Sequence, residues 1–226
     1  MTLPSADVLI SLLAAWLLLG SASLWAWREQ TGLSSRMLRA SLRGLLQLLV
    51  LASLLHYLFD IESVPAQAGV ILLFCMVASR ISAGHHTDIP RAWAAAAIGL
   101  MAACLAVLPW LVWTGTISGE SRSLIPLSSM VVANGMNAVS VMFNRMLESP
   151  DRARGIQAGL IHNVDTLRVV GLVHMPGIFV GMILAGATPL AAASAQLVVL
   201  YMIVASSFAA CIVSSSMLRH LQARQL

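Results

Sequence analysis

The sequence predicts an all-α polytopic membrane protein, a single transmembrane permease domain over 1–226 with about seven transmembrane helices, N-terminus outside and C-terminus cytoplasmic. Three observations carry that prediction. Of 226 residues, 59% are hydrophobic and only 10% charged, with a mean hydropathy of +0.87, the balance of a membrane-embedded chain. Several apolar stretches reach the roughly 20 residues a helix needs to cross a bilayer, whereas spanning strands would be shorter and alternate in polarity. Every basic residue is arginine, and when spans are threaded alternately all but Arg122 fall on one side.

Taken in order, spans are expected at about 8–27, 44–61, 65–80, 92–113, 124–143, 166–186 and 190–217. The first has no basic flank before it and is longer than a signal-peptide core, so it is expected to be retained. If the loop from 28 to 43 is cytoplasmic, it shares that side with Arg80, Arg91, Arg145, Arg152, Arg154, Arg168, Arg219 and Arg224. That asymmetry sets the orientation and requires an odd number of spans. Trp25, Trp27, Trp110 and Trp113 stand at span ends, where aromatic belts belong. Cys75, Cys104 and Cys211 all lie in apolar stretches without C-x-x-C spacing, which reads as packing rather than disulfide or thiolate chemistry. The formal charge of +4 follows the membrane edge, so no nucleic-acid partner is expected. The chain has no lysine and no Gly-rich phosphate loop; if ATP drives it, another chain binds the nucleotide, and no cofactor is expected on this one.

Polar residues inside spans are expensive, so each needs a reason. Arg43 and Gln47 share a helical face at the cytoplasmic boundary, either a snorkelling arginine beside an interhelical amide or a partner contact. His85, His86 and Asp88 stand in a loop; adjacent side chains diverge, and the solvated reading outweighs a cation site. Asn134 and Asn137 in the fifth span need partners at mid-membrane depth. They either bond between helices or, with Met136, line a substrate path. Asp165 and Arg168 form a possible i,i+3 pair where the sixth span opens, a surface pair or a contact for a cytoplasmic partner.

The sixth span also carries Pro176, which should kink or break it near His174 and mark an inner helix. Gly177 and Gly181, extended by Ala185, form a G-x-x-x-G ridge for close backbone approach, a packing or gating surface or a dimer axis, and Gly186 makes the turn that follows. His174, Met175 and Met182 are candidate ligands for a soft or borderline metal, against the commoner reading of methionine as core filler.

Three blocks carry a family resemblance: RGLLQL at 43–48, the pattern P-x-x-x-M-x-x-x-N-x-M from 126 to 136, and VDTLRVVGLVHMPGIFVGMILAGATP at 164–189. Together they resemble the Fet-type iron-export ABC transporter permeases, which are related to plant aluminium-sensitivity permeases. The resemblance implies a permease subunit that pairs with itself as a homodimer and with a separate ATP-binding cassette subunit, ATP being held on that partner, and that exports iron or another metal ion across a bacterial inner membrane. The sequence departs from that pattern at His174, at Arg168 where a lysine is expected, and in the cytoplasmic segment 144–163, which is shorter than the family's ATPase-coupling segment. The competing expectation is a non-transporting scaffold or regulatory paralogue that has lost the coupling. No intramembrane enzyme is expected, since no span holds paired carboxylates, a nucleophile with its base, or H-E-x-x-H.

Overall fold

A computed structural model describes residues 6–84, 91–149 and 151–223; His85, His86, Asp88 and Arg224 lie outside them. The described residues form helices, and the chain divides into two compact units, Met1–Tyr57 and Leu58–Leu226. The first unit holds α1 (Ala6–Arg28) and most of α2 (Ser34–Phe59). A turn with Gln30 at φ 51° and Gly32 at φ 69° joins them, closed by Thr31 Oγ1 donating to the Ala26 carbonyl at 3.0 Å. α2 therefore starts well before the span expected at 44, because its arginine-bearing first turns stay helical.

The second unit contains α3 (Val64–Ala83), α4 (Ala92–Trp113), α5 (Ser121–Glu148), α6 (Arg152–Val169), α7 (Gly177–Leu184) and α8 (Pro189–Ala223). Six helices, α1 to α5 and α8, are long and apolar enough to cross a bilayer, which makes this a polytopic membrane protein. Side-chain bonds fix the register of the bundle. At one end Gln67 Nε2 of α3 donates to Ser121 Oγ of α5 at 2.9 Å, and at the other Ser140 Oγ of α5 donates to Ser82 Oγ of α3 at 2.8 Å. α3 and α5 thus run parallel. Arg80 of α3 sits over the Trp93 ring, 5.4 Å from its centroid, so α4 starts where α3 ends and returns antiparallel.

α4 meets α8 on small residues. Ala92, Ala95, Ala96, Gly99 and Ala103 are buried, and a Cβ on Gly99 would stand 2.7 Å from the Ala210 carbonyl oxygen. Only glycine allows that approach. Phe143, Met142 and Val139 of α5 and Leu100 of α4 fill the centre. Cys75 and Cys104 face each other there with sulfurs 3.9 Å apart; they and Cys211 are free and buried. These registers place Arg80, Arg91, Arg145 and Arg219 at one edge of the bundle and Arg122 at the other.

The sixth leg differs from expectation. The segment 166–186 is not one kinked helix, and 144–163 is mostly helical rather than a loop. α5 continues to Glu148, and α6 starts at Arg152, where Asp151 caps it by accepting the amides of Ala153 and Arg154 at 2.9 and 3.2 Å. α6 then returns along α5: Gly155 lies against Met142 and Met146, Gly159 against Ala138. It stops at Val169, and after an irregular stretch α7 resumes at Gly177.

Candidate functional site

α6 presents two faces of opposite character. Gly155, Gly159 and Asn163, spaced by four, are buried on one stripe. A Cβ on Gly159 would come within 2.5 Å of the Ala138 carbonyl oxygen and 3.3 Å of Cys211 Sγ; one on Gly155 would come within 2.7 Å of Met146 Cγ. This G-x-x-x-G stripe is what holds α6 against α5 and α8. Arg152 fastens its first turn to α8: Nε donates to Ser215 Oγ at 2.9 Å, and Nη2 donates to Ser216 Oγ at 2.7 Å and to the Ile212 carbonyl at 3.1 Å. Charge-assisted bonds of this kind are the stronger class.

The other face is exposed and polar: Arg154, Gln157, His162, Asp165 and Arg168, with Ile161 among them. Arg168 Nη1 and Asp165 Oδ1 pair at 3.2 Å, and Arg154 pairs with Asp151 at 3.2 Å. Depth gives this face its meaning. α6 starts at the arginine edge and runs about 27 Å, at 1.5 Å per residue, beside α5, a helix long and apolar enough to cross a bilayer. Charged groups at hydrocarbon depth are costly against lipid, so water or protein is the stable neighbour for this face. Asp165 and Arg168, expected at the cytoplasmic boundary, stand instead in the last turns of α6, far from the arginine edge.

Above them the backbone folds on itself. The Val169 carbonyl accepts the amides of Leu172, Val173 and His174 at 3.2, 2.9 and 3.1 Å, and the Gly171 amide donates to the His174 carbonyl at 3.0 Å. Val170 at φ −61°, ψ 132° and Gly171 at φ +80° make a type II turn, which needs glycine at its third position. This satisfies the freed groups that hydrocarbon would leave unpaired. Pro176, φ −69° and ψ 148°, is buried and begins α7 rather than kinking a continuous helix. The expected ridge on α7 also differs: a Cβ on Gly177, Gly181 or Gly186 would meet nothing within 4 Å among the described residues, and Ala185 is exposed. Leu172, Val173 and Met175 of the break are 87%, 85% and 72% exposed.

The remaining expected residues scatter. His174 is exposed in the break, and Met182 is half-buried on α7. Among the described residues no group of three or more His, Cys, Asp or Glu side chains converges as a metal site. Asn134 Nδ2 donates to the Met130 carbonyl of its own helix at 2.9 Å, Met136 packs against the core, and Asn137 is exposed. With Gly159 against Ala138, Asn137 lies near the level of Ile161 and His162. Arg43 and Gln47 are exposed on α2 of the first unit. The residues that position the leg, Arg152, Gly155, Gly159 and Asn163, were not singled out from the sequence, although GIQAG at 155–159 carries the G-x-x-x-G spacing. Asn163 Nδ2 and Gln196 Oε1 are buried without a hydrogen-bond partner among the described residues. At the opposite edge a cavity of about 700 Å³ is lined by Asp60, Glu62, Gln67, Glu120 and Arg122 among others.

Comparison with known proteins points one way. The profile of a family described as an uncharacterised protein family, UPF0014, matches residues 9–155 and 149–221, two pieces that meet at the α5–α6 junction. The chain is 26% identical over 220 residues to the probable iron export permease protein FetB of Escherichia coli, covering 87% of this chain and 85% of that protein. It is 27% identical over 226 residues to the UPF0014 membrane protein STAR2 of rice (89% and 79% covered), and 26% identical over 241 residues to the protein ALUMINUM SENSITIVE 3 of Arabidopsis thaliana (95% and 84% covered). No solved structure matches.

Proposed function

The chain belongs to the UPF0014 family, and from that membership we propose that it is the membrane-spanning permease subunit of an exporter, powered by a separate ATP-binding cassette subunit. In this reading it works as a homodimer in the bacterial inner membrane, with its arginine edge in the cytoplasm, and moves iron or another metal ion outward. The cargo reading is supported by the relative named as an iron export permease.

The observation that carries the proposal is the charged, exposed outer face of α6, which runs beside the membrane helix α5. A polar face over about 27 Å is too costly to leave against lipid, and a hydrated path between two copies accommodates it. Asp165 supplies the carboxylate for a cation along that path, with His162 and Asn137 as further ligands at nearby levels and His174 at the break. The discontinuity at 170–176 lets α7 move without bending α6, as broken helices do at transporter sites. ATP binding drives export in so far as the ATPase binds the inward-open and outward-open states unequally, since a ligand shifts a conformational equilibrium only by its differential affinity.

The test is ATP-dependent uptake of Fe²⁺ into inside-out vesicles containing the chain and its ATP-binding partner. The expected result is uptake that is lost in Asp165→Asn. Absence of both uptake and a co-purifying ATP-binding chain overturns the reading. In that event the scaffold reading stands, favoured by the short passage from α5 to α6, which leaves little chain to reach an ATPase.

A further inference from the structure

The first unit carries a cationic stripe that the transport reading does not use. Arg36, Arg39 and Arg43 of α2 are spaced by three and four, which puts them within one narrow arc of the helix, and all are exposed. Arg28 ends α1 just across the turn from them. Between residues 8 and 59 the sequence contains one acid, Glu29, and its Oε1 accepts the Trp25 indole N–H at 3.2 Å. Four cations at this elbow thus face one engaged carboxylate. None of the four arginines is in an ion pair among the described residues.

Depth again decides what can neutralise them. α2 has 26 residues, and Asp60 follows its last residue, Phe59. If Phe59 marks the far boundary, a core of about 30 Å takes up roughly 20 residues and its near boundary falls close to Arg39. Arg36 then lies in the headgroup zone and Arg39 at the boundary, its Nε donating to the Ser35 carbonyl at 3.1 Å and its terminal nitrogens making no bond among the described residues. Arg43 lies about one helical turn inside the hydrocarbon and reaches the surface only by extending its stem along the helix. A guanidinium in that position lowers its cost by drawing a phosphate down to it, and the forked donors of arginine fit phosphodiester oxygens two at a time.

We propose that the α1–α2 elbow is a binding site for the headgroup of an anionic phospholipid, held by Arg36, Arg39 and Arg43 with Arg28 beside them. A zwitterionic lipid offers the same phosphate but brings its own cation, so the site discriminates by net charge. Basic clusters next to a membrane helix attract anionic lipid at about 1 kcal/mol per residue, equivalent to about a fivefold change in preference for each arginine.

The experiment is native mass spectrometry of the full chain purified in detergent, titrated in parallel with phosphatidylglycerol and phosphatidylcholine. The wild type is expected to retain phosphatidylglycerol preferentially, each single variant Arg36→Gln, Arg39→Gln or Arg43→Gln to lower that preference about fivefold, and the triple variant to abolish it. Arg122→Gln, in the second unit and outside the stripe, is expected to retain the wild-type preference. Should the triple variant fail to elute as a single species, the three single variants decide. Equal retention of the two lipids by the wild type overturns the proposal. So does an undiminished preference in the arginine variants, or loss of a co-purifying ATP-binding chain from those variants while the lipid preference persists, which would assign the stripe to a protein partner.

Discussion

The chain carries two G-x-x-x-G ridges, Gly155 to Gly159 on α6 and Gly177 to Gly181 on α7, and only the first is filled from within. On α6 the ridge is pressed against the Ala138 carbonyl, while the opposite face of the same helix is charged. On α7 the ridge opens onto empty space, and the helix around it is apolar. The motif therefore marks where a backbone can be approached, not what approaches it. A helix with a charged outer face has one apolar side to bury and buries it on its neighbours. A short apolar helix is stable against lipid or against a second copy, and its glycines do not choose between them.

The comparison breaks most visibly through alanine. Gly159→Ala puts a methyl group 2.5 Å from a backbone carbonyl, where no side chain can swing away, and is expected to destabilise the protein by about 2–3 kcal/mol. Gly155→Ala meets Met146 Cγ at 2.7 Å, part of a flexible side chain, and is expected to cost about 1 kcal/mol. Gly181→Ala in open space removes a poor helix former and is expected to be neutral or to stabilise by up to about 1 kcal/mol. Unfolding of the detergent-purified chain measures all three. If Gly181→Ala costs as much as Gly159→Ala, another copy occupies the α7 ridge, and the two ridges do the same job in different places.

Next in size is Arg152, which ties the filled ridge to α8. Arg152→Met removes three hydrogen bonds from a charged donor and leaves Ser215 and Ser216 without it, an expected loss of about 2 kcal/mol. Arg152→Lys keeps the charge but not the fork and should fall between the two. The same unfolding measurement reads both, and a lysine variant as stable as the wild type would show that charge alone anchors the leg.

Legibility follows the same division. α1 to α5 and α8 could be read because each is apolar along most of its length, so an average over a window finds it. The start of α2 at Ser34 was hidden by its arginines, which sit on the first turns of a continuing helix. Most of α6 was hidden: its buried stripe is glycine and asparagine and its exposed face is charged, so no hydropathy average marks it. Pro176 correctly signalled that the sixth leg is interrupted, but the interruption begins at Val170 and Gly171, where a positive φ closes the turn. Asn134 and Asn137 could be picked out by polarity at mid-span. That Asn134 bonds its own helix while Asn137 stays exposed depends on which neighbours surround α5, and a single strand of sequence does not contain that.

The smallest stability effect is expected where the functional effect is greatest. Asp165 and Arg168 are joined at 3.2 Å, but their side chains are 54% and 74% exposed, so the pair is worth no more than about 0.5 kcal/mol. Asp165→Asn and Arg168→Gln should therefore unfold within about 0.5 kcal/mol of the wild type. Their effect on ATP-dependent Fe²⁺ uptake separates two roles for the charged face. If it lines a hydrated path, Asp165→Asn lowers uptake because a cation loses its carboxylate, and Arg168→Gln leaves uptake intact or raises it, because a repelling charge has gone. If the face is instead a contact between copies, both variants weaken the dimer equally, and size-exclusion chromatography shows that loss alongside reduced uptake. Opposite signs in uptake with an unchanged elution volume would place the ion route on α6, on the side of the helix that its glycines leave free.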